Sequence, residues 1–362
     1  MSQRFNLNSP RCQVAEEIRR RIATGELAGD LPGIRRLMSE FGATRTTVEG
    51  ALEELRHGGH LVCRGKRKPM KIVRHEPAPG GEGTLIVHAD PMERRTGDHR
   101  EILLAMEEHL PPPVVRLSLP QEDARTEKIV ARILESPFRR IVVMDHDAEV
   151  ADRLMDAGRI VVAAGTGGEP TLAPQVCVSH EMLVRGAVRK AFQAGHRRVS
   201  FPLWRRLPEV AANMRRWIAA EYSLAGYKHS PQFDAPVVDG REPAALHRTL
   251  RDLLRHTPPT ALVASDFQQW LATVMVLGET GLRMPRDVSL ICLCSTPEWE
   301  SATPTPAHFR FPVAAMVSAV ARSLAAAERG AHPAPVSLAP EWVPGHSLGA
   351  PSSAGKPADL TR

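Results

Sequence analysis

No apolar run in the chain approaches the roughly 18–20 residues that a bilayer-spanning helix needs. The opening segment, MSQRFNLNSP, lacks the apolar core of an export signal. Cysteine is scarce: Cys12, Cys63, Cys177, Cys292 and Cys294 are odd in number and form no C-x-x-C pair. That argues against a disulfide framework or a zinc knuckle, and it fits a protein kept in a reducing cytoplasm. Signatures of covalent and phosphate chemistry are missing as well. We read no G-x-S-x-G elbow, no H-E-x-x-H helix and no G-x-x-x-x-G-K-[ST] loop. A Schiff-base amine would have to come from Lys128, Lys190, Lys228 or Lys356, the only lysines beyond residue 76. Lys128 and Lys190 fall in amphipathic helical patterns, so a pyridoxal-phosphate body is not expected either. The expectation is a protein that is not an enzyme and has no metal, cofactor or membrane partner.

The body of the chain also lacks net charge. Residues 1–76 hold 15 Lys/Arg against 9 Asp/Glu, a net +6, while the remainder holds 32 of each. A basic module on a neutral body points to a polyanion at one end only, because cationic side chains gain by displacing counterions condensed on phosphates. At 362 residues two or three domains are expected. The 43% apolar and 24% charged content excludes wholesale disorder.

Proline and glycine crowd the stretch HEPAPGGEG, residues 75–83, which reads as a linker. A second such stretch closes the chain, and residues 349–362 are expected to be a disordered tail. In between, β-like runs alternate with helical patterns. Strands are expected at 84–89, 114–119, 140–144, 160–164, 199–203, 261–264 and 288–292. Helices are expected at 101–109, 126–135, 182–194 and 267–278. Alternation of this kind predicts an α/β fold with a parallel sheet covered on both faces.

The basic module has a finer pattern. Val14, Ile18 and Ile22 make one stripe of a first helix, which Ser9 and Pro10 can start. Ile34, Leu37, Met38 and Phe41 turn a second helix inward, Gly42 supplies a turn, and Thr44 can cap a third. The third helix would bury Val48, Ala51, Leu52 and Leu55, leaving Arg45, Thr46, Thr47 and Glu49 outward at its N-terminal end. That end of a helix lying in the major groove is where side chains reach base edges. Residues 61–64 and 71–74 can then pair as a hairpin with the basic tip Gly65-Lys66-Arg67-Lys68-Pro69.

This segment, from about residue 12 to 74, resembles the winged helix-turn-helix of the GntR family of bacterial regulators. The resemblance rests on Leu31-Pro32-x-x-Arg35-x-Leu37, Thr44-Arg45-Thr46-Thr47-Val48, Ala51-Leu52-x-x-Leu55 and Gly59-x-Leu61. It implies that Arg35 and Arg45 contact DNA, that Thr44, Thr46 and Thr47 serve phosphates or base edges, and that Gly65 with Lys66, Arg67 and Lys68 forms the wing tip. Three residues depart from the family. Glu49 stands where a second arginine is frequent, Gly50 interrupts the third helix at about 1 kcal/mol relative to alanine, and the wing lacks a second glycine.

The neutral body resembles the effector-binding domain of LacI-type regulators, which shares the fold of periplasmic sugar-binding proteins. The resemblance rests on Ala194-Gly195-His196-Arg197-Arg198-Val199, on Pro259-Thr260-Ala261-Leu262-Val263-Ala264-Ser265-Asp266, and on Gly281-Leu282-Arg283-Met284-Pro285. It implies two lobes spanning residues 84–348, behind a DNA-binding domain at 1–74. Asp266 matches a ligand-holding position and Asp90 ends the first body strand. Asn213 replaces a usual arginine and Cys294 a usual aspartate, while Trp299 could stack on a sugar ring or be core. The expectation is therefore a homodimeric regulator of double-stranded DNA at a roughly palindromic operator. It would be a repressor answering to a small-molecule effector, a sugar among the possibilities. The alternative is a DNA-binding protein whose body is an effector-less docking platform, which the exchanges at Asn213 and Cys294 favour.

Overall fold

The computed structural model describes residues 10–23, 27, 30–57, 61–62, 70–72, 83–90, 97–120, 126–144, 148–166, 171–204, 208–238 and 243–351. Ser9, the wing tip at 65–69, the linker at 75–82 and the tail from 352 lie outside the described residues.

The N-terminal module folds as α1 (Pro10–Ala23), α2 (Ile34–Phe41), α3 (Arg45–His57), β1 (Leu61–Val62) and β2 (Lys71–Ile72). Its core gathers Val14, Ala15 and Ile18 of α1, Leu37 of α2, and Val48, Ala51, Leu52 and Leu55 of α3, closed by Leu31 and Leu61. Gly42 holds the α2–α3 turn at φ 58°, a left-handed conformation that glycine adopts without strain. The Thr47 N–H donates to Thr44 Oγ1 at 3.3 Å and caps α3. β1 and β2 pair antiparallel, Leu61 opposite Ile72. The Leu31 N–H donates to Met70 O at 2.8 Å, which fastens the segment before α2 to the base of the wing. At Gly50 a Cβ would stand 2.9 Å from Cδ of the exposed Arg11 side chain on α1, a contact that a flexible arginine can give way to.

The chain divides into two compact units: residues 1–95, 105–176 and 317–336 form one, and 96–104, 177–316 and 337–362 the other. After the module come β3 (Thr84–Asp90), α4 (Gly97–His109), β4 (Val114–Pro120), α5 (Thr126–Leu134), β5 (Arg140–Met144), α6 (Ala148–Asp156), β6 (Ile160–Thr166) and β7 (Gln175–Val178). The chain continues through α7 (His180–Gln193), β8 (Val199–Ser200), β9 (Leu203–Trp204), α8 (Pro208–Leu224), α9 (Pro231–Asp234), β10 (Val237–Val238), α10 (Pro243–His256), β11 (Ala261–Ala264), α11 (Phe267–Glu279) and β12 (Ser289–Cys292). It closes with β13 (Ala307–Arg310), α12 (Val313–Glu328), β14 (Val336–Leu338) and β15 (Glu341–Val343).

A six-stranded sheet runs β14-β7-β6-β5-β3-β4, and a five-stranded one runs β15-β13-β12-β11-β8. In the first, β3 is parallel to both neighbours, with Thr84 opposite Val114 on one side and Arg140 on the other. Leu85, Val87, Ile141 and Val143 pack there against Ile129, Ile133, Val150 and Leu154. In the second, β11 runs parallel between β8 and β12. Strands buried on both faces carry apolar runs such as Ala261–Ala264.

The strand expected at 199–203 is broken in two. Pro202 has no N–H to give a ladder, and beyond it β9 pairs with β10 instead. The chain stays attached as far as Gly349, within the tail expected from that residue on. Its carbonyl accepts from buried His196 Nε2 at 2.9 Å, and its N–H donates to Ser289 Oγ at 3.0 Å.

Candidate functional site

The outward face of the N-terminal module is polar by construction, because the apolar side of α3 is spent on the core. Arg35, Thr44, Arg45, Thr46 and Glu49 are exposed and Thr47 is half-buried. Thr44 Oγ1 and Thr47 Oγ1 lie 2.9 Å apart, so the capping pair fixes the first turn of α3. Arg45 has a side chain 73% exposed, with Nε donating to Glu49 Oε1 at 2.8 Å one turn further along. Behind this face Arg21 joins α1 to α2: it pairs with Glu17 and Glu40, and its guanidinium lies 4.9 Å from the centre of the Phe41 ring.

In each unit the strand order reverses once, and ligands of open α/β sheets bind outside the carboxyl ends of strands at such points. In the first unit the reversal lies at β3, flanked by β4 and β5, and Asp90 is its last residue. In the second it lies at β8–β9, flanked by β10 and β11. There Asp266 caps α11, accepting the Gln269 N–H on Oδ1 at 2.8 Å and the Trp204 indole N–H on Oδ2 at 3.0 Å. No cation pairs with Asp266 among the described residues. Trp204, Asp266 and Phe267 are half-buried, so this corner keeps a carboxylate and aromatic surface within reach of solvent.

The other expected ligand residues sit differently. Asn213 lies half-buried on α8, with Oδ1 accepting from Arg216 Nη2 at 2.7 Å along its own helix. Cys294 lies beyond the end of β12, buried, with its Sγ 3.6 Å from that of Cys292. Contact with the Cys292 thiol, followed by burial, pushes the Cys294 thiol well above its ordinary range. Trp299 is buried, donates its indole N–H to Cys294 O at 3.1 Å, and packs against Trp270 and Phe267.

Sequence reasoning passed over two features. The first is Asp98, in the opening turn of α4 and fully buried. It accepts the backbone N–H of Ser295 at 2.6 Å and of Phe311 at 3.1 Å, at the carboxyl ends of β12 and β13. Burial raises its carboxyl to about 6, against the lowering pull of those two N–H groups. Gly97 permits the approach, since a Cβ there would stand 2.5 Å from Thr296 Cα.

The second is a string that the sequence reading missed: Gly345-His346-Ser347-Leu348-Gly349 spells G-x-S-x-G. A nucleophile elbow needs an exposed serine on a strand-to-helix turn. Ser347 instead is fully buried; its hydroxyl donates to Leu290 O at 2.6 Å and accepts the Ala307 N–H at 2.8 Å. It is a brace between strands.

The fold places a helical head with a polar α3 face on a body of α/β sheets. The comparisons name both parts. Residues 10–69 match the bacterial regulatory proteins of the gntR family, and residues 188–348 match the periplasmic binding protein-like domain. The chain thus joins a gntR-family regulatory domain to a periplasmic binding protein-like domain. No curated protein sequence matches it.

Solved structures agree in fold. The transcriptional regulator CelR in complex with cellobiose superposes with a TM-score of 0.63 at 16% identity, over 88% of this chain and 100% of that one. Transcription regulator CcpA of Lactococcus lactis gives 0.62 at 14%, over 74% and 99%. A LacI-family regulator from Enterococcus faecium with bound ribose gives 0.61 at 13%, over 74% and 99%. No helix among the described residues is long and apolar enough to cross a membrane.

Proposed function

We propose that the protein is a cytoplasmic repressor that binds a roughly palindromic operator as a homodimer and changes its hold on DNA when a small molecule occupies the sensor body. The observation that carries this reading is the exposed set Arg35, Arg45 and Thr46 on a three-helix head. Arginine at the N-terminal end of a recognition helix suits bidentate contact with guanine. For the effector, two of the structural relatives hold cellobiose and ribose, so sugars are the first class to test. The aromatic and carboxylate corner at Trp204 and Asp266 is chemically suited to a polyhydroxyl ligand. For the dimer, support comes from α11, where Leu271, Val274 and Met275 stand 47%, 36% and 51% exposed along one stripe. A contiguous apolar stripe of this kind on a soluble domain favours burial against a partner.

The test is selection of genomic fragments by the full chain, with footprinting of the winners at two salt concentrations. An inverted repeat with half-sites one helical turn apart, or a multiple of that, is expected. Uniform, strongly salt-dependent protection with no preferred site would overturn sequence-specific regulation and leave a head that only grips phosphate.

A further inference from the structure

Resting on the reading of the head as DNA-binding, we propose that Glu49 is a positioning residue that aims Arg45 and thereby sets base specificity. Stability does not explain where these two residues stand. Arg45 opens α3, where the positive end of the helix dipole disfavours a cation. The arginine also precedes the glutamate, the weaker order for an i,i+4 pair. With both side chains largely exposed, such a pair adds little to folding.

What the ion pair does is restrict the guanidinium. Arginine offers five donors in a planar fork. Nε is committed to Glu49 Oε1 at 2.8 Å, which occupies one side of the fork. The opposite end, Nη1 with Nη2, is left to present two parallel donors outward, the arrangement that matches guanine O6 and N7. A free arginine at this site would settle equally well on phosphate. The Glu49 carboxylate repels phosphate and so penalises that alternative, and specificity is the difference between the two affinities.

The experiment measures binding of the full chain, wild type and Glu49→Ala, to the selected operator and to a scrambled duplex of equal length. For Glu49→Ala, operator affinity is expected to fall about tenfold, the size of effect that one well-made bidentate base pairing supports. Affinity for scrambled DNA is expected to rise about twofold once that negative charge is removed. Parallel increases on both duplexes would make Glu49 a repelling charge only and overturn the proposal, as would no change on either. The pair Arg45→Lys and Arg45→Lys/Glu49→Ala supplies the second comparison, since lysine has no fork to aim. Removing Glu49 should then cost no further operator affinity, and a full additional drop would mean that Glu49 reads a base by itself and overturn the positioning role. If the wild type does not distinguish operator from scrambled DNA, the DNA-reading function itself fails, and this proposal falls with it.

Discussion

Asp98 Oδ2 accepts the backbone N–H of Ser295 at 2.6 Å, joining residues 197 positions apart in sequence and placing a carboxyl in a fully buried setting at the edge of β12. Its protonation therefore matters to folding. Unfolding returns Asp98 to a carboxyl that ionises near 3.8, against about 6 in the fold. Between those values the folded chain holds a proton that the unfolded chain has released, so stability falls as pH rises through that window. Above it the cost of the buried charge is on the order of 3 kcal/mol. Asp98→Asn keeps an acceptor oxygen and removes the charge. Its stability relative to wild type is expected to improve from pH 4 to pH 7, read as urea midpoints. Parallel pH profiles for the two proteins would show that Asp98 is charged throughout.

The stripe on α11 gives a second expectation. Leu271 and Met275 lie one turn apart and are 47% and 51% exposed, so a glutamate at either can keep its carboxylate in solvent in the single chain. If the stripe is the dimer interface, Leu271→Glu buries a charge between copies and should yield a monomer in analytical ultracentrifugation. Operator affinity should then drop about a hundredfold, because two tethered heads bind as one unit and two free heads do not. A dimer that survives both Leu271→Glu and Met275→Glu would locate the interface elsewhere.

Trp204 offers an optical probe of the α/β body. Its indole N–H is held by Asp266 Oδ2 at 3.0 Å, and a sugar hydroxyl that takes over that oxygen would release it. All five tryptophans, Trp204, Trp217, Trp270, Trp299 and Trp342, lie in the second compact unit. An active sugar should therefore change the intrinsic emission of the wild type, and Trp204→Phe should lose most of that change while binding persists by calorimetry. Silence across a broad sugar and metabolite panel would favour a docking platform over a sensor.

Most of the head was legible in the sequence because its packing is local. The spacing of Val48, Ala51, Leu52 and Leu55 marks one face of α3, and Thr44 announces its cap within three residues. Gly50 interrupts that helix in the sequence, and in the fold its neighbour is the exposed Arg11 side chain of another helix. In the body, alternation revealed the parallel sheets, but not where a strand would be interrupted. Pro202 was swallowed by an otherwise continuous apolar run, and the sequence around it does not show that Gln269 Nε2 will donate to its carbonyl at 3.1 Å. Asp98 reads locally as an ordinary acidic residue in a first helical turn. Its partners, Ser295 and Phe311, lie just beyond β12 and β13, which no spacing rule connects to α4.

Arg45 and the wing separate two ways of holding DNA. Arg45→Ala removes a fork from a rigid helix end, so if it reads a guanine the operator should bind more weakly by about 1–3 kcal/mol, with little effect on scrambled DNA. Lys66, Arg67 and Lys68 bring three positive charges within three residues. Such a cluster can grip the backbone wherever it lands, because phosphates are the same in every sequence. Replacing all three with alanine should weaken operator and scrambled duplex alike. The slope of log affinity against log salt should become shallower by about one for each phosphate that is no longer neutralised. Titrations at four salt concentrations distinguish the cases. Should the wing variant bind the operator alone more weakly, with an unchanged salt slope, those three side chains read sequence and the division of labour between helix and wing is reversed.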